Sequence, residues 1–139
     1  MIEFDYKDIE FRFDEEKHSD WLSEVIKTEG KTEGEITYLF CNDEHLHKLN
    51  VEFLNHDTLT DIITFDNTIG NILNADICIS VDRVRDNAND FKVLFVEELK
   101  RVLVHGVLHL CGYKDKTDVE ANLMRSKEEE KIALFHVER

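Results

Sequence analysis

Two histidines stand four residues apart in an apolar run, His105 and His109 of HGVLHLCGYKDK (His105 to Lys116), followed by a glycine at 112 and an aspartate at 115. Helical residues advance about 100° each, so a pair four apart differs by about 40° in direction and one turn in height. Both imidazoles can reach one cation, the geometry by which HExxH motifs hold zinc. Here Gly106 follows the first histidine, so the glutamate that serves such metalloproteases as general base is missing. A glycine after the last helical turn commonly takes the left-handed conformation and reverses the chain, which would let Asp115 swing back toward the histidines. Cys111 is the poorer third ligand, because six residues beyond His105 it points about 120° away from the shared face. Two imidazoles and one carboxylate leave a tetrahedral zinc an open position for water, as in a hydrolytic centre. The same spacing also suits two amphipathic core residues, and Arg101, one turn before His105, opposes a cation; the motif alone leaves both readings open. His18, His45, His47, His56 and His136 share no ligand spacing and read as surface or incidental residues.

The elements that must position this segment are legible from periodicity. MIEFDY and IEFRF alternate apolar and polar residues (Ile2, Phe4, Tyr6; Ile9, Phe11, Phe13), which predicts strands, at least one at a sheet edge. Trp21, Leu22, Val25 and Ile26 predict a short helix capped by Ser19 and ended by Gly30. EITYLF reads as a strand, and Asn42 caps a helix with the stripe Leu46, Leu49, Phe53 and Leu54. After a loop through NHDTLT, DIITF and ADICIS form two strands that could pair as a hairpin across DNTIGN. Helical patterns follow: a short one to about Asn89, a long one from Asp90 to Cys111, and a last one opened by TDVE, where Thr117 and Glu120 have capping-box spacing. The acidic run EEEK, Glu128 to Lys131, reads as a solvated helix face. Strands first and helices last predict an α+β domain spanning 1–139, with the histidines at the end of its longest helix.

Composition bounds the rest. A chain of 139 residues, 42% hydrophobic, fills one core and is too short for two ordinary ones. No segment has the uninterrupted apolar length of a membrane span or a secretory leader, so no membrane partner is expected. Cys41, Cys78 and Cys111 are odd in number and widely spaced, which reads as reduced thiols in a cytoplasmic protein. A formal net charge of −14 argues against a surface that attracts polyanions everywhere, so any nucleic-acid contact must use a local basic patch.

The segment VHGVLHLCGYKD resembles the signature HGxLHLxGYDH of the YbeY family of bacterial ribosomal-RNA maturation endoribonucleases. LTDIITF (Leu59 to Phe65) is similar to that family's TDVLSFP stretch, Leu49 and Asn50 stand at its upstream LN, and ADICIS resembles its GDIxIS strand. The resemblance, from Leu49 to Met124, implies a mixed four-stranded sheet flanked by helices, with a zincin-like helix and three histidines holding a zinc-type metal in a cleft. Carried over by position, His105 and His109 are the first two ligands and Asp115 stands in place of the third histidine. Lys114 replaces the usual aspartate, and Leu54, after Phe53, replaces an arginine.

The implied activity is a metal-dependent, single-strand-specific endoribonuclease acting in 16S rRNA 3′-end processing and ribosome quality control. It would use one Zn2+ per chain, with other divalent metals admitted by the harder aspartate oxygen. Its partners would be ribosomal RNA and the small ribosomal subunit or assembly factors. A metal-bound water is the expected nucleophile, and no residue is identified as general base. Arg83, Arg85, Lys100, Arg101, Lys114 and Lys116 are the cations near the motifs, of which Arg101, Lys114 and Lys116 are the expected RNA contacts. Two other classes share these features: a noncatalytic ribosome assembly factor with a structural metal, and a metallohydrolase of another substrate, which the missing HExxH glutamate disfavours.

Overall fold

Alternation along the strands decides the architecture. In the computed structural model, which describes residues 1–56 and 60–136, the strands are β1 (Ile2–Tyr6), β2 (Thr32–Cys41), β3 (Ile62–Asp66) and β4 (Ile72–Ser80), and the helices are α1 (Glu15–Thr28), α2 (Asp43–Leu54), α3 (Val81–Phe91), α4 (Phe95–Leu110) and α5 (Asp118–Phe135). The sheet order is β1-β2-β4-β3, parallel except for the antiparallel β3–β4 pair. This is the expected α+β fold with a mixed four-stranded sheet, and DIITF and ADICIS form the expected hairpin. The start of LTDIITF at Leu59 and part of the NHDTLT loop lie outside the described residues.

Side chains on a strand point alternately to opposite faces. Ile36, Tyr38 and Phe40 of β2 and Leu73, Ala75, Ile77 and Ile79 of β4 therefore share the main core with Trp21, Leu22, Val25 and Ile26 of α1 and the apolar face of α4. Cys41 and Cys78 instead join Leu46 of α2 and Ile63 of β3 in a smaller cluster. The Tyr38 hydroxyl donates to the Leu103 carbonyl at 2.7 Å, which ties α4 to the middle of the sheet.

Four local expectations are corrected. IEFRF is not a strand: the chain turns at Asp8, whose φ is +54°, and Phe11 and Phe13 pack on Phe40 from irregular backbone. Its alternation reflects burial of one side without a ladder partner. Helix α1 begins before Ser19, because Asp14 accepts from the Lys17 amide and Glu15 and Glu16 favour the positive helix end. The helix that carries the histidines begins at Phe95, since Lys92 takes a left-handed conformation (φ +57°) that ends α3 after Phe91, and at 16 residues it is not the longest, α5 having 18. The EEEK face is not solvated throughout: Glu128 and Lys131 are 2% and 4% exposed, turned onto α4 and α1.

His18, read as incidental, is also buried. Its Nδ1–H donates to the Asp14 carbonyl at 2.7 Å, and Nε2 lies unpaired among Phe13, Trp21 and Phe135. Burial lowers the imidazole pKa below its ordinary value; Lys100 and Lys17 reinforce that, and the Asp14 carbonyl and carboxylate partly offset it. The unfolded chain thus takes up a proton before the folded one does, so His18 favours folding above the ordinary histidine pKa, and that contribution is lost as pH falls through the depressed folded value. The urea midpoint of the apoprotein should fall between pH 7.5 and 5.5, and His18→Phe should shrink that fall. An equal fall in both proteins would place the acid sensitivity elsewhere.

Candidate metal centre

Helix α4 presents its histidines at the rim of an otherwise buried face. Leu99, Val102, Leu103, Val104, Val107 and Leu108 are at most 1% exposed, while His105 and His109 are half-buried. Between them, Gly106 lies on the sheet: a Cβ there would meet Ile77 Cδ1 at 3.1 Å and Ile62 Cδ1 at 3.2 Å. The position that carries the base in an HExxH protease thus packs on the sheet here, and any side chain at 106 would crowd Ile62 and Ile77.

Past Leu110 the chain reverses at Gly112, whose φ of +107° is one that residues with a Cβ rarely adopt. The reversal returns the Tyr113 carbonyl to 2.9 Å from His109 Nδ1 and brings Asp115 Oδ2 to 3.3 Å from His105 Nε2 and 3.5 Å from His109 Nε2. The Tyr113 hydroxyl donates to Glu29 at 2.7 Å, and Glu29 pairs with Lys131 at 2.8 Å. Burial alone would raise the Glu29 pKa, but hydrogen bonds from Lys131 and Tyr113 outweigh it and hold the carboxyl below its ordinary value. A charged network thereby holds the loop that carries Asp115.

The hydrogen bonds on the far side of each ring decide what the near side offers. His105 Nδ1 lies 2.6 Å from the Glu128 carboxylate, and His109 Nδ1 faces a carbonyl. Carboxylate and carbonyl oxygens only accept, so each Nδ1 is placed to donate, and in the neutral tautomer that donates there each Nε2 keeps a lone pair. Two Nε2 lone pairs and one carboxylate oxygen then lie within 4.8 Å of one another. In that tautomer three acceptors face one another, a cluster that could hold a cation. Zinc bonds of about 2.0–2.2 Å to N and O in a tetrahedral shell separate neighbouring ligand atoms by roughly 3.3 Å, which the two contacts of Asp115 already match. His105, His109 and Asp115 are the one such cluster among the described residues, and Cys111 is not in it.

The predicted RNA contacts divide. Lys114 and Lys116 flank Asp115 on the exposed loop. Arg101 instead bonds Glu98 through Nε at 3.0 Å and through Nη2, and lies 3.5 Å from Glu128. Burial opposes its charge, but these carboxylates outweigh burial and raise its pKa. The expectation that Arg101 repels a cation is corrected, because its charge is answered within the protein. Of the other cations, Lys100 is buried over the Phe135 ring, Arg83 pairs with Asp43 and Asp86, and Arg85 lies over Phe95. Leu54, in the place of the expected arginine, is 41% exposed at the end of α2.

The model of the family described as Endoribonuclease YbeY matches residues 2–136. The chain belongs to that family. A protein named Endoribonuclease YbeY from Flavobacterium johnsoniae is 66% identical over 139 residues, covering 99% of each chain. Another of the same name, from Flavobacterium psychrophilum, is 58% identical over 138 residues and covers 99% of this chain and 98% of its own. A solution structure of a Thermotoga maritima protein, 26% identical, superposes with a TM-score of 0.68 over 97% of this chain and 89% of that one.

Set against this YbeY membership, Glu128, Glu29 and the Tyr113 carbonyl are the site residues that sequence reasoning missed. For Glu128 a signal existed: Met124, Glu128, Lys131 and Phe135 follow helical spacing, and all four are buried. Charged residues that share a helical stripe with Met124 and Phe135 mark buried partners. Gly106→Val should destabilise the protein by about 1–3 kcal/mol through overpacking against Ile62 and Ile77. Urea unfolding with an unchanged m-value checks this, and a variant as stable as the parent would show that α4 does not rest on Gly106.

Proposed function

We propose that this chain is a zinc-dependent, single-strand-specific endoribonuclease of ribosomal-RNA maturation, and that His105, His109 and Asp115 are its metal ligands. The observation that carries the reading is the convergence of three acceptors at the end of α4, on a chain of the YbeY family. An ion bound there supplies Lewis acidity toward a phosphoryl oxygen and toward water. The chain's own part is to hold the three ligand atoms, to keep each proton on Nδ1, and to leave one side open beside Asp115, which is 41% exposed. Lys114 and Lys116 flank that open side and make the phosphate contacts of a single strand. Arg101 is bound to Glu98 and Glu128, so we assign it to the protein's own carboxylates and not to RNA.

The substrate in this reading is 16S rRNA near its 3′ end, met on the small subunit or with assembly factors, because an acidic protein with so small a basic strip binds RNA weakly by itself. The cytoplasm is its compartment, in line with three free cysteines. No helix among the described residues is long and apolar enough to cross a membrane. The second reading, a noncatalytic assembly factor with a structural metal, is favoured by Leu54 at the position of the family's arginine.

Two measurements test the assignment. After dialysis the parent should retain about one zinc per chain and cleave single-stranded RNA in a chelator-sensitive way. His105→Ala and His109→Ala should lose the metal, Asp115→Ala should bind it much more weakly, and Asp115→His should keep it. Metal retained without cleavage would establish the assembly factor instead. Separately, Lys114→Gln with Lys116→Gln should lower the slope of log K against log salt by about 1.4, the value for two contacts to single-stranded phosphates. An unchanged slope would move the RNA contact away from this loop.

A further inference from the structure

We propose that Glu128 is a positioning residue for the centre: its carboxylate sets the tautomer of His105 and thereby decides whether that histidine offers a lone pair to the metal. The inference rests on His105 being a ligand. It goes further in assigning control of that ligand to a residue on another helix.

Glu128 sits on α5, is 2% exposed, and places Oε2 2.6 Å from His105 Nδ1. Removing a carboxylate from water costs several kcal/mol unless its partners repay it, and the partners here are few. Oε1 faces Arg101 Nη1 at 3.5 Å and Arg125 Nε at 4.0 Å. Arg101 is itself bound to the buried carboxylate of Glu98. For packing alone, an apolar residue would fill this place on the Met124–Lys131–Phe135 stripe without the desolvation. What a carboxylate adds is an oxygen that can only accept, directed at one imidazole nitrogen. The two histidines are therefore held unequally, His109 by a neutral carbonyl and His105 by an anion. The anion makes His105 the more electron-rich ligand and ties its geometry to the docking of α5.

Arg101 makes the arrangement testable, because it offers N–H groups only. In Glu128→Gln the amide oxygen turns to Arg101 and the amide NH2 turns to His105 Nδ1. The imidazole proton then moves to Nε2, where the metal lone pair was. Replacing the triad aspartate by asparagine in a serine protease misplaces a histidine proton in the same way. Glu128→Asp keeps an anionic acceptor and should preserve the tautomer.

The experiment is imidazole 15N NMR on the metal-free proteins, with zinc affinity measured by competition against a chromophoric chelator. The parent should show both His105 and His109 protonated at Nδ1. Glu128→Gln should move the His105 proton to Nε2, leave His109 unchanged, and weaken zinc binding by about 10- to 100-fold. Glu128→Asp should retain the parent tautomer and most of the affinity. A His105 still protonated at Nδ1 in Glu128→Gln, with parent zinc affinity, would overturn the proposal. If Glu128→Gln does not fold, Glu128→Leu removes the acceptor from His105 Nδ1 and leaves Arg101 paired with Glu98: a mixed His105 tautomer supports the proposal and an unchanged one overturns it. Failure of the parent to bind zinc would refute the metal assignment alone, since the tautomer is read without metal.

Discussion

Helix α4 meets two opposed demands: it must bury a broad apolar face in the sheet, and it must leave two imidazole nitrogens open at its rim. The first demand fixes the helix. Fully burying a leucine or valine is worth about 1.5–3 kcal/mol, and α4 buries Leu99, Val102, Leu103, Val104, Val107 and Leu108. Gly106 lets the helix come close enough for Ile62 and Ile77 to fill the space below it. The second demand follows, because a helix seated this firmly carries both histidines on a rigid body and leaves only the loop after Gly112 to be positioned.

Charge does that remaining positioning. The docking of α5 on α4 and α1 buries Glu128 and Lys131 among partners they need: Arg101 and His105 for the first, Glu29 for the second. Such pairs add little net stability over apolar residues of the same size, but a wrong docking would strand a buried charge at several kcal/mol. Phe135 and Met124 supply apolar area in this interface, and the carboxylates and lysines select its register. One register places Glu128 behind His105 and Lys131 against Glu29, which accepts from Tyr113, so the helix that completes the core also braces the histidine and the loop.

The acidic surface and the nucleic-acid reading are reconciled by the same economy. Arg101, Arg83 and Lys100 are paired with the protein's own carboxylates, whereas the loop beside Asp115 presents Lys114 and Lys116 to solvent. At a net charge of −14 most of the surface disfavours a polyanion, and Lys114 and Lys116 put two exposed cations beside the His105, His109 and Asp115 cluster.

What the sequence by itself determined lies within a few residues of each signal. Asn42 and the Thr117–Glu120 capping box start their helices as read, Gly112 reverses the chain, and the alternation of EITYLF and ADICIS assigns side chains to the two faces. The facing of His105 and His109 follows from helical pitch alone. Where alternation came without a pairing partner, as in IEFRF, the local signal misled, because a ladder needs a second strand that periodicity cannot supply. Only the tertiary structure decided that EEEK holds a buried carboxylate, that Arg101 is paired with Glu98 and Glu128, and which group faces each imidazole nitrogen. Those outcomes depend on contacts such as His105 with Glu128, 23 residues apart, and Tyr113 with Glu29, 84 apart. Caps and pitch act through the backbone of one turn, whereas the proton position on an imidazole is set by whatever group the packing of another helix brings to its far side.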